Sequence, residues 1–511
     1  MELLGAAMPA LVYLGYVIVA SVVLFVSYRL TLHPLSAYPG PIAAKLTDFY
    51  NLYHAASMDE HVAIWRNHQA YGPVIRHGPN KLVFNSLRAL QDIYYNDRVT
   101  KSNAYLNIMQ APNVHSVFTV IDKQQHRAKR RLIGQALNEH GMRLFEPIIL
   151  EQTDIFIEQL SRSCTKGAPI YMSPRLRYLT LDIVTLLAFG YPLHTQTEQK
   201  NRFVSDGILR MTEALQILGH IRERRKPYRS VVKMLIGSRM TEDKDAKQDL
   251  YSMVADQINT GGRENIPTSD LWAEAIFLFA AGSSYSMHHT YGGDTTATVT
   301  AALFFYLSRA PDCYSKLARE IRTTFDSRDE IRSGPKLTSC RYLRACIDEA
   351  LRMSPPAPRT PWRQQSDTDD APLIIDGHAV PRGTHIGVNV YSILHNDEYF
   401  PDPFAYTPER WLSGVSEEQT KIMHEAFVPF SAGTRIWAGK AMAYLETSVL
   451  ISKTLWHFDF EKAPGKVGEL GAGRSGGAYG RHRPGEFQIH NVISSTHEGP
   501  NVVFHTRASA A

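Results

Sequence analysis

The chain has 511 residues, 44% of them hydrophobic, enough for a large core in one big or two fused domains. Its 55 basic and 50 acidic side chains form no long run of one sign, which speaks against a nucleic-acid partner. The four cysteines (Cys164, Cys313, Cys340, Cys346) have no metal-type spacing and suggest no disulfide framework, which fits a reduced, cytosol-facing compartment.

No charged residue stands between Glu2 and Arg29, and Leu11 to Tyr28 is nearly all Val, Leu, Ile, Ala, Phe and Tyr. At about 1.5 Å per residue such a run can cross a hydrocarbon core of roughly 30 Å. Its length, the lack of a basic segment before it and the lack of a small-x-small exit site favour an anchor over a cleaved signal peptide. Arg29 and Lys45 beyond it favour a cytosolic position for the remainder of the chain. The expected division is an anchor at 1–30, a Pro-rich hinge at 31–45 (His33-Pro34, then Tyr38-Pro39-Gly40-Pro41) and one domain at 46–511. Within Thr47 to Asp97 the pattern predicts a helix around His61 to His68 and strands at Val74 to Arg76 and Lys81 to Phe84.

Residues 122–137 predict a helix on which His126 and Arg130, four apart, share a face and can clamp carboxylates. Lys123, Arg127, Lys129 and Arg131 form a basic outer face suited to an acidic partner. Residues 150–257 are helical by periodicity, with breaks at Pro174 and Pro227, and name no chemistry. An apolar helix ends at Gly282, and a second apolar stretch runs from Gly293-Asp294-Thr295-Thr296 to a stop at Pro311. The ten residues between, Ser283 to Gly292, are polar and poor helix formers. Ten residues turn a helix by about 1000°, roughly 80° short of three turns, so a continuous helix would misalign its apolar faces and a looped-out bulge is expected. His288 and His289 are adjacent, point apart on a helix, and make a poor metal pair.

Arg341 to Met353 predict a helix on which Glu349 and Arg352 share a face, and Pro408-Glu409-Arg410 stands some sixty residues on. Between them Leu373 to Val390 alternates like paired strands, and His395-Asn396-Asp397 reads as a turn. Phe430 to Gly439 (Phe-Ser-Ala-Gly-Thr-Arg-Ile-Trp-Ala-Gly) is a glycine-punctuated loop feeding a buried helix. Its glycines let the backbone approach something flat and large, and Arg435 suits an anionic partner. A Gly-rich tail at Gly465 to Gly480 precedes segments, Phe487 to Ile493 and Val502 to Phe504, expected to form a closing hairpin.

Five of these motifs, in this order, together resemble the cytochrome P-450 family of haem-thiolate monooxygenases, over nearly the whole chain. The resemblance implies a mainly α fold with small β-sheets, the cytochrome P-450 fold, behind an N-terminal transmembrane helix. It implies that His126 and Arg130 hold a haem propionate and that Phe430, Gly433, Arg435 and Gly439 build the haem loop. Asp294 and Thr295 would be the acid–alcohol pair that delivers protons for O–O scission. Glu349, Arg352 and Arg410 would be a buried triad fixing the segment that carries the loop. It further implies haem as cofactor, electrons from NADPH through NADPH-cytochrome P-450 reductase, a small apolar substrate, and a single-pass anchor in the endoplasmic reticulum membrane with the domain in the cytosol. The texture is closest to fungal members that decorate secondary metabolites or oxidise aromatic acids.

One position departs from the family. Trp437 stands at the axial site, where family members have the cysteine whose thiolate ligates iron. Indole nitrogen donates a hydrogen bond but has no lone pair free for iron, so the chain offers no metal ligand there. Tryptophan is also far bulkier than cysteine in a loop that must lie close to the porphyrin. No cysteine lies nearby, and His424 is outside the loop. Porphyrin burial with Arg435, His126 and Arg130 would retain some haem; thiolate-driven oxygen activation would not survive. The expectation is a monooxygenase-type protein impaired at Trp437 and by the 283–292 insert. The alternatives are an inactive scaffold with a binding role and an active enzyme whose tryptophan codon is a sequence error. A soluble helical carrier is disfavoured by the membrane segment.

Overall fold

The computed structural model describes residues 2–109, 113–137, 139–164, 167–202, 295–412, 416–492 and 494–507, with 234, 237–239, 241–243, 246–247, 249–252 and 274. The apolar N-terminal run is one helix, Glu2–Ser27, continued by a π-helical turn, Tyr28–Leu32. Its stretch Leu11–Leu32 is long and apolar enough to cross a membrane.

The segment after this turn lies along the first strand of a five-stranded sheet. That sheet is built from β1 (Val74–Gly78), β2 (Lys81–Phe84), β3 (Val99–Lys101), β5 (Arg363–Gln365) and β8 (His385–Val388), in the order β1-β2-β8-β5-β3. Only β2 and β8 run parallel. The Arg76 amide donates to the Pro39 carbonyl at 2.7 Å. Gly40 (φ +149°) is required at this crossing, because a Cβ there would lie 2.4 Å from the Arg76 carbonyl oxygen. The Arg76 guanidinium is fully buried and donates to the main-chain carbonyls of Pro79 (3.2 and 3.0 Å), Arg29 (2.9 Å) and Leu35 (3.4 Å). A buried cation needs every donor satisfied, and these carbonyls join the end of the anchor to the sheet.

The strand pair expected from Leu373 begins as a tight hairpin, β6 (Leu373–Ile375) with β7 (His378–Val380). Asp376 and Gly377 make its two-residue loop with φ of +48° and +76°, the left-handed conformations whose twist matches the strands. The predicted closing hairpin does not form. Instead β10 (Ile489–Asn491) pairs with β11 (Ser495–His497), and β12 (Asn501–Thr506) pairs with β9 (Phe458–Lys462) and with β4 (Ile170–Tyr171). Pro500, between β11 and β12, has no N–H to give a ladder, so the first pairing stops there and the chain turns to another partner.

Pro174 also behaves differently from the expected break. It lies in the first turn of helix Met172–Phe189, where a missing N–H leaves no bond unmade. Pro227 lies outside the described residues. The core centres on helix Thr295–Leu307, every residue of which from Thr296 onward is buried. Being apolar on all sides, it is surrounded: helices Met172–Phe189, Arg341–Met353 and Lys440–His457 pack against it. The Tyr306 hydroxyl bonds Ser354 Oγ at 2.7 Å and accepts from the Phe487 amide at 3.3 Å, which ties the tail to this centre.

Candidate active site

Helix Lys123–Ala136 starts where Asp122 caps it, its carboxylate accepting from the Gln125 amide at 2.7 Å. From that start His126 and Arg130 fall on the inner face, as their spacing predicts, and both line a cavity of about 940 Å³ counted to its open mouth. Lys129, expected on the outer face, turns inward instead: it is buried and pairs with Glu274 at 3.0 Å. The ion pair explains the reversal, since an anion offsets the cost of burying the ammonium. Arg127 and Arg131 are exposed, and Lys123 donates to the Asp97 carbonyl.

The loop Phe430–Gly439 forms the opposite wall. Gly433 takes a φ of +69°, and a Cβ there would meet the Tyr94 carbonyl oxygen at 1.9 Å. The loop closes through the Trp437 amide, which donates to the Phe430 carbonyl at 3.0 Å. The rings of those two residues lie parallel within 5° at a centroid distance of 5.9 Å. A Cβ on Gly439 would come within 2.7 Å of the Trp437 indole, so the glycine leaves the space in which that ring lies. Trp437, Arg435 and Gly439 line the cavity, and Phe430 backs the indole. The Arg435 guanidinium donates to the carbonyls of Val120 (3.1 Å) and Ile121 (2.9 Å). Lys101, at the end of β3, reaches the same space and donates to the carbonyls of Val117 (3.0 Å) and Phe118 (2.6 Å).

The cavity therefore carries four basic side chains, Lys101, His126, Arg130 and Arg435, none of which forms an ion pair among the described residues. Burial and mutual repulsion show in their titration. Burial first, then Arg435, Lys101 and Arg130, push His126 down to about 3. Burial and Arg363 bring Arg435 down to about 10. Lys101 falls well below its ordinary value for the same reasons. Basic groups gathered on one cavity, their charge disfavoured while no anion stands beside them, fit a carboxylate ligand.

Thr295 and Thr296 line the far side. Asp294 and the insert 283–292 lie outside the described residues. Glu446, also in the cavity, is an acid that motif spacing does not single out. It stands seven residues after Gly439 in an otherwise apolar turn, and that isolation was the available signal. Burial pushes its carboxyl up to about 7, partly offset by a hydrogen bond with Thr296. An unfolded glutamate titrates near about 4.3, so the fold keeps a proton that the unfolded chain releases. The stability tied to this proton is full below that value and is lost as the pH rises toward 7. Glu446→Gln is expected to gain about 3 kcal/mol in chemical denaturation at about pH 8 and little at about pH 4. Equal gains at both would refute a buried, protonated acid.

Glu349, Arg352 and Arg410 meet away from the cavity. Glu349 is fully buried and accepts from Arg352 (2.8 and 3.0 Å), Arg410 (3.0 Å), the Thr407 amide (3.1 Å) and the Trp411 indole (2.9 Å). Burial works to raise this carboxyl, yet Arg352 and Arg410 with these hydrogen bonds hold it below its ordinary value. Sequence spacing identifies the three charged members; the Trp411 donor, adjacent to Arg410, had no signal of its own.

A helix-bounded cavity with an inward His-x-x-x-Arg pair, a glycine-hinged loop and a buried Glu-x-x-Arg/Arg lock defines a class, the cytochrome P450 fold. The family model for Cytochrome P450 matches residues 39–473, and the chain belongs to that family. It is 34% identical over 506 residues to "Cytochrome P450 monooxygenase AKT7" of Alternaria alternata, covering 93% of this chain and 94% of that protein. It is 35% identical over 463 residues to "Cytochrome P450 monooxygenase poxM" of Penicillium oxalicum, covering 86% and 87%. Against "Cytochrome P450 monooxygenase apf7" of Gibberella fujikuroi the identity is 33% over 534 residues, covering 96% and 97%. The chain is thus an oxidoreductase of the haem monooxygenase class, a family that draws electrons from a redox partner. The basic side chains of the cavity fit the carboxylates of such a cofactor. The indole of Trp437 does not fit the task of holding iron, because its nitrogen has no free lone pair.

Proposed function

We propose that this chain is a membrane-anchored monooxygenase of fungal secondary-metabolite type whose oxygen chemistry is disabled at residue 437. Bound haem would supply the power to insert one oxygen atom into an apolar substrate. Arg130, His126, Arg435 and Lys101 hold its carboxylates. Gly433 and Gly439 let the loop backbone approach its face. Thr295, on the far side of the cavity, is the alcohol of the acid–alcohol pair that its neighbour in sequence, Asp294, completes. Trp437 stands where the family pattern has the ligating cysteine, and in the sequence the insert 283–292 directly precedes Gly293-Asp294. The electron donor is NADPH-cytochrome P-450 reductase, docking on the exposed Arg127 and Arg131, and the membrane is that of the endoplasmic reticulum.

The observation that carries this reading is the Trp437 indole lining the cavity. The reduced, carbon monoxide difference spectrum of the full chain, purified in detergent with haem supplied, tests it. The unaltered chain is expected to give no thiolate-type band, and Trp437→Cys to give one. A thiolate-type band from the unaltered chain would overturn the reading. A band that appears only when residues 283–292 are also removed would assign part of the loss to the insert.

A further inference from the structure

The four basic side chains of the cavity and its aromatic wall face one ligand space, while nothing at residue 437 addresses a metal. We propose that the cavity takes a tetrapyrrole dicarboxylate as an organic anion, through its carboxylates and its flat face, and is indifferent to whether a metal fills the ring. This inference rests on the proposed function and deepens it, since it names what the site still binds once its iron tether is gone.

Carboxylate recognition is intact. Lys101 and Arg435 are held in place by main-chain carbonyls of residues 117–121, so both present N–H donors from fixed positions. Arg130 and His126 come from a separate helix one turn apart, so the basic side chains converge from three elements on one cavity. Charge-assisted hydrogen bonds in a partly dry site are the strong kind. The flat wall is equally prepared. Phe430 stacked behind Trp437, and the space left at Gly439, hold the indole in one orientation at the cavity surface. An indole face is a good stacking partner for a planar π-system.

Metal recognition is not prepared. Among the described residues no three His, Cys, Asp or Glu side chains gather where an ion could be held. Among the described lining residues the one carboxyl, Glu446, is engaged with Thr296, and the one imidazole, His126, sits among three other basic side chains. A bound iron would gain nothing from this wall that an empty ring would lack.

The test is titration of the full-length chain in detergent with metal-free protoporphyrin IX, its iron form and its dimethyl ester. Binding is read by porphyrin absorption, with fluorescence anisotropy for the two metal-free compounds. The metal-free and iron forms are expected to bind within about threefold of each other, and the ester to bind at least about tenfold more weakly. Arg130→Gln should weaken both acids by about tenfold, as one charge-assisted contact is worth. Trp437→Cys should make the iron form alone tighter, by about a hundredfold. An iron preference above tenfold in the unaltered chain overturns the inference, as does an ester that binds as well as the acid. Failure of every porphyrin to bind also overturns it, while leaving the loss of oxygen chemistry standing. A thiolate-type carbon monoxide band would instead sink the proposed function itself.

Discussion

Glu349→Gln is expected to lower the stability of the fold by about 3–5 kcal/mol, the cost of stranding buried charge. The carboxylate is surrounded only by donors: two guanidinium groups, an indole and an amide. Glutamine keeps one acceptor oxygen and turns an NH2 toward those donors. Arg352 cannot leave, because its guanidinium also donates to the carbonyls of Leu394 (3.0 Å) and Pro403 (2.8 Å). The charge therefore stays buried and unpaired. Glu398→Gln, at an exposed site, should stay within about 0.5 kcal/mol of the unaltered chain. Because the Glu349 carboxyl is held below its ordinary value, its contribution is present above about pH 4.3 and lost as the pH falls further. The glutamine variant should lack that acid-side loss. A denaturation midpoint unchanged at neutral pH would remove the triad from any stabilising role.

Gly433→Ala is the second large effect, and it concerns the loop. A φ of +69° costs a residue with a Cβ about 1–2 kcal/mol, and the Cβ would also fall 1.9 Å from the Tyr94 carbonyl oxygen. Tyr94 has little freedom to retreat: it is buried, and its hydroxyl donates to the Pro361 carbonyl (3.1 Å) and accepts from the Val388 amide (3.0 Å). The loop must move instead, carrying Arg435 and Trp437 with it. The expected result is a loss above about 2 kcal/mol together with weakened binding of every porphyrin. Gly134→Ala, at a helical site with open space, should be neutral or slightly stabilising. Porphyrin affinity that survives Gly433→Ala would show that the loop position does not matter to the cavity.

Much of the candidate site was legible because its chemistry obeys local spacing. His126 with Arg130 and Glu349 with Arg352 share helix faces, a relation that four or three residues of separation dictates. The glycines at 433 and 439 announce a close approach, though only the structure shows that one faces the Tyr94 carbonyl and the other the Trp437 ring. The features that escaped were set by partners far along the chain. Lys101 enters the cavity because β3 pairs with β5, some 260 residues away. Lys129 turns inward because Glu274 awaits it. The tail pairs β12 with β9 and β4, and two short segments with similar alternation gave no hint of which neighbour each would choose. Trp411 looked like part of a Pro-Glu-Arg-Trp turn, and its indole proved to be a fourth donor to Glu349.

Arg76 grips only main-chain oxygens, at residues 29, 35 and 79. These bonds address backbone and not side chains, although Leu35 also buries its side chain in the core. A foreign hydrophobic leader spliced in ahead of residue 29 would inherit the same angle to the sheet. The socket that receives the leader is made of the Arg76 side chain and the backbone at residues 29, 35 and 79.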